Sequence, residues 1–225
     1  MKRKIFISSL CSLVISSCST SKNNRKVETV EQRPPISCME NSPERNGEEG
    51  CTILTNRRLV VVFSKTVYWH IDRFESLEAA MKEARANSVA AEAHGSFWLL
   101  TVDTNAEDHY GGHHITSIGP LLLPAADSFA MRVQSSLLKP GSKTPAHTHP
   151  GPEVVYVVEG EQCMEMLNIC MRLGPGQFYI FPGETIHRGT VAGNKARRAL
   201  GLNLYDAAHP TSHSLDNPPV LASCK

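Results

Sequence analysis

The chain has 225 residues, of which 41% are hydrophobic and 20% are charged, and its formal net charge is +1 with histidine counted as neutral. This is the composition of a globular protein that can bury a core as one large domain, or as one domain with an extension. The balanced charge argues against nucleic acid as a partner, because phosphate binding requires a surplus of basic residues on one face. Aromatic residues make up 6% of the chain, which also argues against a base-stacking surface.

The N-terminus resembles the signal of a bacterial lipoprotein. A basic start is followed by an apolar stretch of 11 residues, 5–15, and then by Ser16, Ser17 and Cys18. The apolar stretch has the length of a signal h-region and is too short for a stable membrane span. We therefore expect residues 1–17 to be a signal peptide and Cys18 to carry lipid. This lipid would anchor the domain to the bacterial cell envelope, facing the periplasm or the exterior. An ordinary signal peptide with an incidental cysteine is the alternative.

Residues 18–51 are predicted to be a lipid-anchored flexible tether, because residues 19–37 are polar, contain a Pro-Pro pair and show no hydrophobic periodicity. Cys38 and Cys51 bracket a polar loop that a disulfide could close, as expected in an oxidising compartment.

Three further cysteines lie outside the signal, the lipid site and this loop. Cys163 and Cys170 fall on two arms of a predicted hairpin, where a bridge is possible, and the partner of Cys224 stays open. Because the five cysteines beyond Cys18 are odd in number, at least one thiol is free or paired elsewhere. None of the spacings is CxxC or CxxxC, which disfavours a structural zinc site.

Residues 52–127 are predicted to form an α+β extension. The predicted elements are extended structure at Arg57–Trp69, an amphipathic helix at Phe74–Ala86, strands at 88–93 and 97–102, and a polar loop at Asp103–Ser117. His109, His113 and His114 cluster in that loop. They could form a second metal site or a lid, but a solvated loop is the expected state.

Residues 128–206 have a different sequence pattern, with short apolar or alternating runs separated by Gly, Pro and Asn. Strands are predicted at 129–138, 153–159, 161–166, 169–173, 177–181, 187–192 and 198–205. Many short strands with turn residues between them are typical of an antiparallel sandwich or barrel. Residues 207–225 are predicted to be a C-terminal tail.

Four residues of this segment suggest a metal site. His147 and His149 are two apart on an extended chain and therefore point to the same side. Glu153 follows a Pro-Gly-Pro turn and can fold back beside them, and His187 follows another Gly/Pro turn. Imidazoles and a carboxylate that converge in this way can bind a divalent metal and leave positions open for substrate or O₂.

The same residues resemble the two motifs of the cupin superfamily. Gly141 to Gly160 contains Gly, five residues, His-x-His, three residues, Glu, six residues and Gly, with every anchor position matched. In Gly176–His187 the Gly, Pro and His positions match, whereas Glu184 stands where the family usually has Gly and Val191 where it often has Asn. The resemblance covers about residues 128–206.

The resemblance implies a small antiparallel β-barrel, the double-stranded β-helix, with a metal inside. It implies His147, His149, Glu153 and His187 as the metal ligands. It also makes a homodimer plausible. The ion could be Fe, Mn, Ni, Cu or Zn, because affinity alone does not select it.

Four other residues are candidates for a role in catalysis. Arg132 and Tyr179 lie in the predicted strands and could orient an anionic substrate, as could Tyr156, and Glu184 beside His187 could act as a general acid or base. The functional hypothesis is a metal-dependent enzyme, dioxygenase-like or isomerase-like, that acts on a small organic molecule. The alternatives are a module that binds or senses a metal or small ligand without turnover, and a structural envelope protein.

Overall fold

The computed structural model describes the backbone of residues 38–40 and all of residues 49–59, 66–107 and 109–224. The predicted signal peptide 1–17, the lipid site Cys18 and most of the predicted tether therefore lie outside the described residues. The part of the chain that is described forms three β-sheets and one short helix.

The two larger sheets carry the residues of the predicted barrel. The six-stranded sheet contains, in spatial order, β1 (Cys38–Glu40), β2 (Gly50–Arg58), β7 (Phe129–Leu138), β14 (Arg197–Asp206), β9 (Glu153–Glu159) and β12 (Phe178–Phe181). The five-stranded sheet contains β11 (Cys170–Leu173), β10 (Glu161–Met166), β13 (His187–Ala192), β8 (His147–Thr148) and β15 (His213–Ser214). All of their pairings are antiparallel except that of β1 with β2.

The third sheet belongs to the predicted extension. It contains β4 (Ser88–Ala93), β5 (Ser96–Asp103), β3 (Thr66–Phe74) and β6 (His113–Leu122), with helix α1 (Leu77–Glu83) between β3 and β4. The mainly β, antiparallel architecture with an α+β extension confirms the fold class predicted from the sequence.

The six-stranded sheet is the central layer and is covered on both faces. Along β14, Leu200, Leu202 and Leu204 are fully buried in the same apolar cluster as Trp69 and Ile71 of β3. The intervening positions of β14 point the other way, into the barrel, because side chains alternate along a strand. Nearly the whole of β14 is therefore buried, although its two faces serve different purposes.

The hairpin from β9 to β10 shows why the cupin motif ends in glycine. Gly160 connects the two strands with a φ of +75°, in the left-handed region that glycine adopts without steric cost. A Cβ at this position would also lie 2.4 Å from the carbonyl oxygen of Ala196. The turn therefore requires glycine for two independent reasons.

In the extension two predicted elements are corrected. The helix is shorter than predicted, because β3 continues through Phe74, which pairs with Phe97, and Ser76 then caps the helix by accepting a hydrogen bond from the backbone N–H of Ala79. The predicted loop Asp103–Ser117 ends early, since β6 begins at His113 and pairs with β3. With only seven residues, α1 cannot cross a bilayer, and the described residues hold no helix long and apolar enough to do so.

Two segments outside the predicted barrel add strands to its sheets. In the predicted extension, β2 pairs with β7 along its length, and in the predicted tail, β15 pairs with β8. The tail is fastened again near its end, where the Ala222 N–H donates to the Met166 carbonyl oxygen. The predicted boundaries at 52, 128 and 207 stay predictions, but the sheets continue across them.

The cysteines show which of the open pairings forms. Cys163 on β10 is bonded to Cys224 of the tail, and Cys170 is a free thiol. A bridge between Cys163 and Cys170 is therefore not formed. Cys51 is disulfide-bonded, and its Cα partner in the β1–β2 pair is Cys38. The side chain of Cys38 lies outside the described part, so the Cys38–Cys51 bridge stays a prediction.

Candidate metal centre

Three strands bring the four predicted ligands together inside the barrel. His147 begins β8 and pairs directly with His187, which begins β13, while Glu153 begins β9 on the facing sheet. His149 follows β8. The ring centroids of His147 and His187 are 4.4 Å apart, and those of His147 and His149 are 4.8 Å apart. The placement confirms that the two motifs meet.

Each imidazole is oriented by a hydrogen bond from its Nδ1 to a backbone carbonyl oxygen. The acceptors are Pro145 for His147 at 2.8 Å, Thr211 for His149 at 2.6 Å, and Thr185 for His187 at 2.8 Å. A carbonyl oxygen that holds Nδ1 directs Nε2 of each ring toward the common centre, where Nε2 can bind a metal. The Thr211 contact also shows that the C-terminal tail supports one of the ligands.

The candidate ligand atoms of His147, His149, Glu153 and His187 all lie within 4.8 Å of one another. Around one ion with bonds of about 2.1 Å, ligand atoms are separated by at most roughly 4.2 Å, so only a small contraction is needed. Glu153 Oε2 lies 2.7 Å from Nε2 of His187 and 3.4 Å from Nε2 of His149. The buried Nε2 of His149 has no hydrogen-bond partner among the described residues. The donor set and its orientation fit a divalent metal.

The charges of the centre are strongly coupled. Burial raises the pKa of Glu153, but the neighbouring His149 and His187 outweigh burial and hold this pKa well below its usual range. The pKa of His149 is also set by opposing effects. Burial lowers this pKa, but Glu153 together with the Thr211 carbonyl outweighs burial and raises it above its usual value. Burial lowers the pKa of His147. Glu153 is therefore an anion that draws cations to this point.

Phe181 forms a hydrophobic wall on one side of the centre. Its ring stacks on that of His187 with centroids 3.9 Å apart and an interplanar angle of 17°. Phe181 is 1% exposed. Packing of this kind restricts the imidazole to one plane and holds the ligand in position before any metal binds.

A cavity of about 410 Å³ opens on the centre and runs through the barrel. Its wall combines the four candidate ligands with apolar residues such as Val155 and Met164 and with polar residues from β7, β10 and β14. This size and mixed lining are typical of a site for a small molecule.

The predicted catalytic residues have different positions. Arg132 on β7 lines the cavity, and its role in orienting a substrate stays a prediction. Tyr179 and Tyr156 lie outside the cavity lining, and Tyr179 packs edge-on against Phe181 with centroids 4.7 Å apart. Glu184 is exposed, outside the lining and at a φ of +61°, and its N–H donates to the His149 carbonyl oxygen at 2.7 Å. The structure therefore brings only Arg132 of these to the cavity.

The glycine that usually occupies the position of Glu184 in cupins is explained by this turn. The backbone at Glu184 is left-handed, a conformation that disfavours a side chain. The departure from the motif leaves the turn and the neighbouring ligand in place.

Three cavity residues were not identified from the sequence: Gln162, Arg197 and Asn203. Each is buried, and Gln162 Oε1, Arg197 Nε and Asn203 Nδ2 lack hydrogen-bond partners among the described residues. The alternation of β14 could have indicated Arg197 and Asn203, because both lie opposite the leucines at 200, 202 and 204. Thr211 contacts His149 through its backbone carbonyl oxygen, so the type of its side chain gives no sign of this role in the sequence.

The three histidines of the predicted polar loop do not all lie in a loop, and the ring centroids of His109 and His114 are 6.0 Å apart. His113 and His114 are strand residues, and His109 precedes the strand. His114 contacts Asp72 through Nδ1 at 2.7 Å and Ser117 through Nε2 at 3.2 Å. Among the described residues these histidines belong to no cluster that could hold a metal. The network instead ties β6 to β3.

The sequence comparison agrees with the geometry of the barrel. The family model described as cupin domain matches residues 135–202. This segment belongs to the cupin superfamily. The match begins within β7 and ends within β14, so the cupin domain includes all four candidate ligands and Arg197. No curated protein sequence matches the chain.

Several solved structures are similar to part of this chain at low identity. A cupin-like protein from Thermotoga maritima is 20% identical over 38% of this chain and 64% of its own, with a TM-score of 0.36. A protein with a double-stranded β-helix domain from Klebsiella pneumoniae is 20% identical over 44% and 80%, with a TM-score of 0.35. Oxalate oxidase in complex with the substrate analogue glycolate is 18% identical over 39% and 46%, with a TM-score of 0.33. The chain thus spans less than two thirds of the first of these and less than half of the last.

Proposed function

We propose that the protein is a metal-dependent cupin enzyme that acts on a small organic molecule in the cavity of its barrel. The single observation that carries this proposal is the convergence of three buried or half-buried imidazoles, each with Nδ1 anchored to a carbonyl, on the Glu153 carboxylate. Such pre-orientation is needed for a metal and has no evident use in an apolar core.

When bound, a divalent ion with these ligands supplies a Lewis acid and open positions for a substrate. His147, His149, Glu153 and His187 would hold it. Arg132 lines the same cavity and lowers the pKa of His149 by its charge, so it lies within electrostatic reach of the centre. Its role is to bind an anionic group of the substrate beside the metal. Dioxygenase-like and isomerase-like reactions are both compatible with this arrangement.

We infer that the protein works outside the cytoplasm, anchored to the cell envelope through Cys18. Support comes from the Cys163–Cys224 disulfide and the half-cystine Cys51, since such bonds persist in oxidising compartments. The lipoprotein-like N-terminus supports the anchor.

The test combines elemental analysis with turnover. Purified protein should contain close to one equivalent of a transition metal, and His147→Ala should lose both the metal and any turnover. Phenolic, diketone and hydroxy-acid compounds are screened under air for O₂ consumption or a spectral change. His109→Ala, which alters an exposed histidine of the extension, is the matched control and should keep both properties.

Two results would contradict the proposal. Full metal content in His147→Ala would show that the ion is held elsewhere. Metal-loaded protein that binds compounds without producing any product would favour a binding or sensing module instead.

A further inference from the structure

A buried guanidinium lies in the cavity without a carboxylate partner in the part of the chain that the structure describes. Arg197 is 3% exposed, and its Nη1 donates a hydrogen bond to the Ser136 hydroxyl. The buried Nε of Arg197 has no hydrogen-bond partner, and no acidic side chain forms an ion pair with Arg197 among the described residues. Because burial of an unpaired charge is costly, such a group is retained where a ligand supplies the counter-charge.

The side chain is charged despite its burial. Burial lowers the pKa of Arg197 to about 10, while Glu153 acts in the opposite direction. The guanidinium is therefore a cation at neutral pH, and it lies within electrostatic reach of the metal centre.

The neighbouring arginine shows what a structural arginine looks like in this strand. Arg198 points to the opposite side of β14, where it is ion-paired with Glu159 and its side chain is 33% exposed. Two adjacent arginines thus have opposite environments. Arg198 is ion-paired and partly solvated, whereas Arg197 is turned into a cavity and has no acidic partner among the described residues.

The charged side chains that line the cavity sum to a positive charge. The charged residues of its lining are Arg132, Arg197 and Glu153, and a divalent metal would add to the excess of positive charge. Asn203, on the same side of β14 as Arg197, carries a further buried donor, Nδ2, without a partner among the described residues. Cationic and neutral donors that face one space recognise oxyanions.

We propose that Arg197 is the carboxylate-binding residue of the cavity and that the substrate is a small organic acid. The substrate's carboxylate pairs with Arg197, and its other end faces the metal centre, near Arg132 and Asn203. This inference rests on the proposed function for the metal end, whereas the Arg197 subsite depends on the protein alone.

The residues that would bind the two ends of the acid lie at different positions along β14. Asn203 pairs with Glu153 across β14 and β9, so it lies at the metal end, and Arg197 is six residues away along β14. The Cα positions are therefore on the order of 20 Å apart, and the long side chain of Arg197 covers part of this distance. Arg197 would thus bind one carboxylate, and the rest of the acid would extend along the cavity toward the metal end.

The test measures binding rather than turnover. Malonate, succinate and glutarate are titrated calorimetrically into the full chain, both metal-free and loaded with Zn²⁺, with the corresponding neutral diamides as matched probes. At least one dicarboxylate should bind at least tenfold more tightly than its diamide. Arg197→Gln should reduce that affinity at least tenfold in both forms, while Arg198→Gln should leave it unchanged.

Thermal unfolding separates this role from a structural one. Arg197→Gln removes an unpaired buried charge and should not lower the Tm of the ligand-free protein, but it should abolish the rise in Tm caused by the dicarboxylate. Ser136→Asp provides a second variant, because it places a carboxylate beside Arg197 within the protein. It should raise the Tm and prevent the dicarboxylate from binding.

Wild-type protein that binds no dicarboxylate more tightly than its diamide would overturn the inference, as would full affinity in Arg197→Gln. The failure of the metal proposal is recognised separately. If elemental analysis and Zn²⁺ titration show no metal but the metal-free protein binds the dicarboxylate through Arg197, the subsite stands and the metal centre does not.

Discussion

The cupin barrel and the four-stranded extension both bury polar side chains, but they treat them differently. In the extension, buried Asp72 accepts hydrogen bonds from His114 and from the backbone N–H of Tyr110, and buried Ser88 and Thr101 bond to each other at 2.8 Å. Within the described part of this sheet the indole N–H of Trp69 is an exception. Such paired groups stabilise a fold.

In the barrel, several buried polar atoms line one cavity. His149 Nε2, Gln162 Oε1, Arg197 Nε and Asn203 Nδ2 all lie there, with no hydrogen-bond partner among the described residues. An unpaired buried polar atom costs free energy, so a cluster of them around one cavity indicates a ligand. Burial alone does not distinguish the two regions, whereas the completeness of their hydrogen bonding does.

The largest expected effect is a difference in metal content between two variants, each of which lacks one histidine of one region. His187→Ala should abolish metal binding, because it deletes a ligand, while His114→Ala should keep the full metal content. Elemental analysis after dialysis against a trace of Zn²⁺ measures both. Equal metal content in the two variants would break the proposed difference between the regions.

The next effect concerns the disulfide that fastens the tail. Cys163 and Cys224 are separated by 61 residues, and Cys224→Ser should reduce the free energy of unfolding by about 2–4 kcal/mol. Because the tail holds His149 through Thr211, metal affinity should also fall by about tenfold or more. Urea unfolding and competition with a metal chelator measure the two quantities.

Cys170→Ser is the control for that variant, since it removes the free thiol and leaves the Cys163–Cys224 bridge intact. It should change neither quantity. A Cys224→Ser protein with unchanged metal affinity would show that the tail does not support the centre.

A smaller effect on stability is expected when a hydrogen-bonded and an unpartnered buried polar side chain are each replaced by alanine. Asp72→Ala should lower the free energy of unfolding by about 2–3 kcal/mol, because it leaves His114 and the Tyr110 N–H without their acceptor. Asn203→Ala should cost less than about 1 kcal/mol, since the Nδ2 that it removes is unpaired. Chemical denaturation of both variants provides the comparison, and an equal loss would contradict it.

The smallest effect is expected at Glu184. Replacing this left-handed residue with glycine should raise the free energy of unfolding by up to about 1 kcal/mol, because it relieves the steric cost at a φ of +61°. Metal content should not change, since the side chain is exposed and away from the cavity. A loss of turnover in Glu184→Gly would instead restore the predicted catalytic role of this residue.

The barrel was more predictable than the extension for a physical reason. Its turns require glycine or proline, as Gly160 does, and its ligands follow fixed spacings, so the strands and the four-residue centre can be inferred locally. In the extension the polar residues His113 and His114 indicated a loop. They form a strand because β3 supplies both backbone partners and the buried carboxylate of Asp72.

The sequence by itself determined the cupin class, the four candidate ligands and a balanced charge that does not favour nucleic acid. Only the tertiary structure decided which cysteine pairs with Cys163, that Thr211 orients His149, and that Arg197 is buried without a counter-charge among the described residues. These features depend on contacts between segments far apart in the chain. No local pattern records which partner a folded side chain meets or lacks.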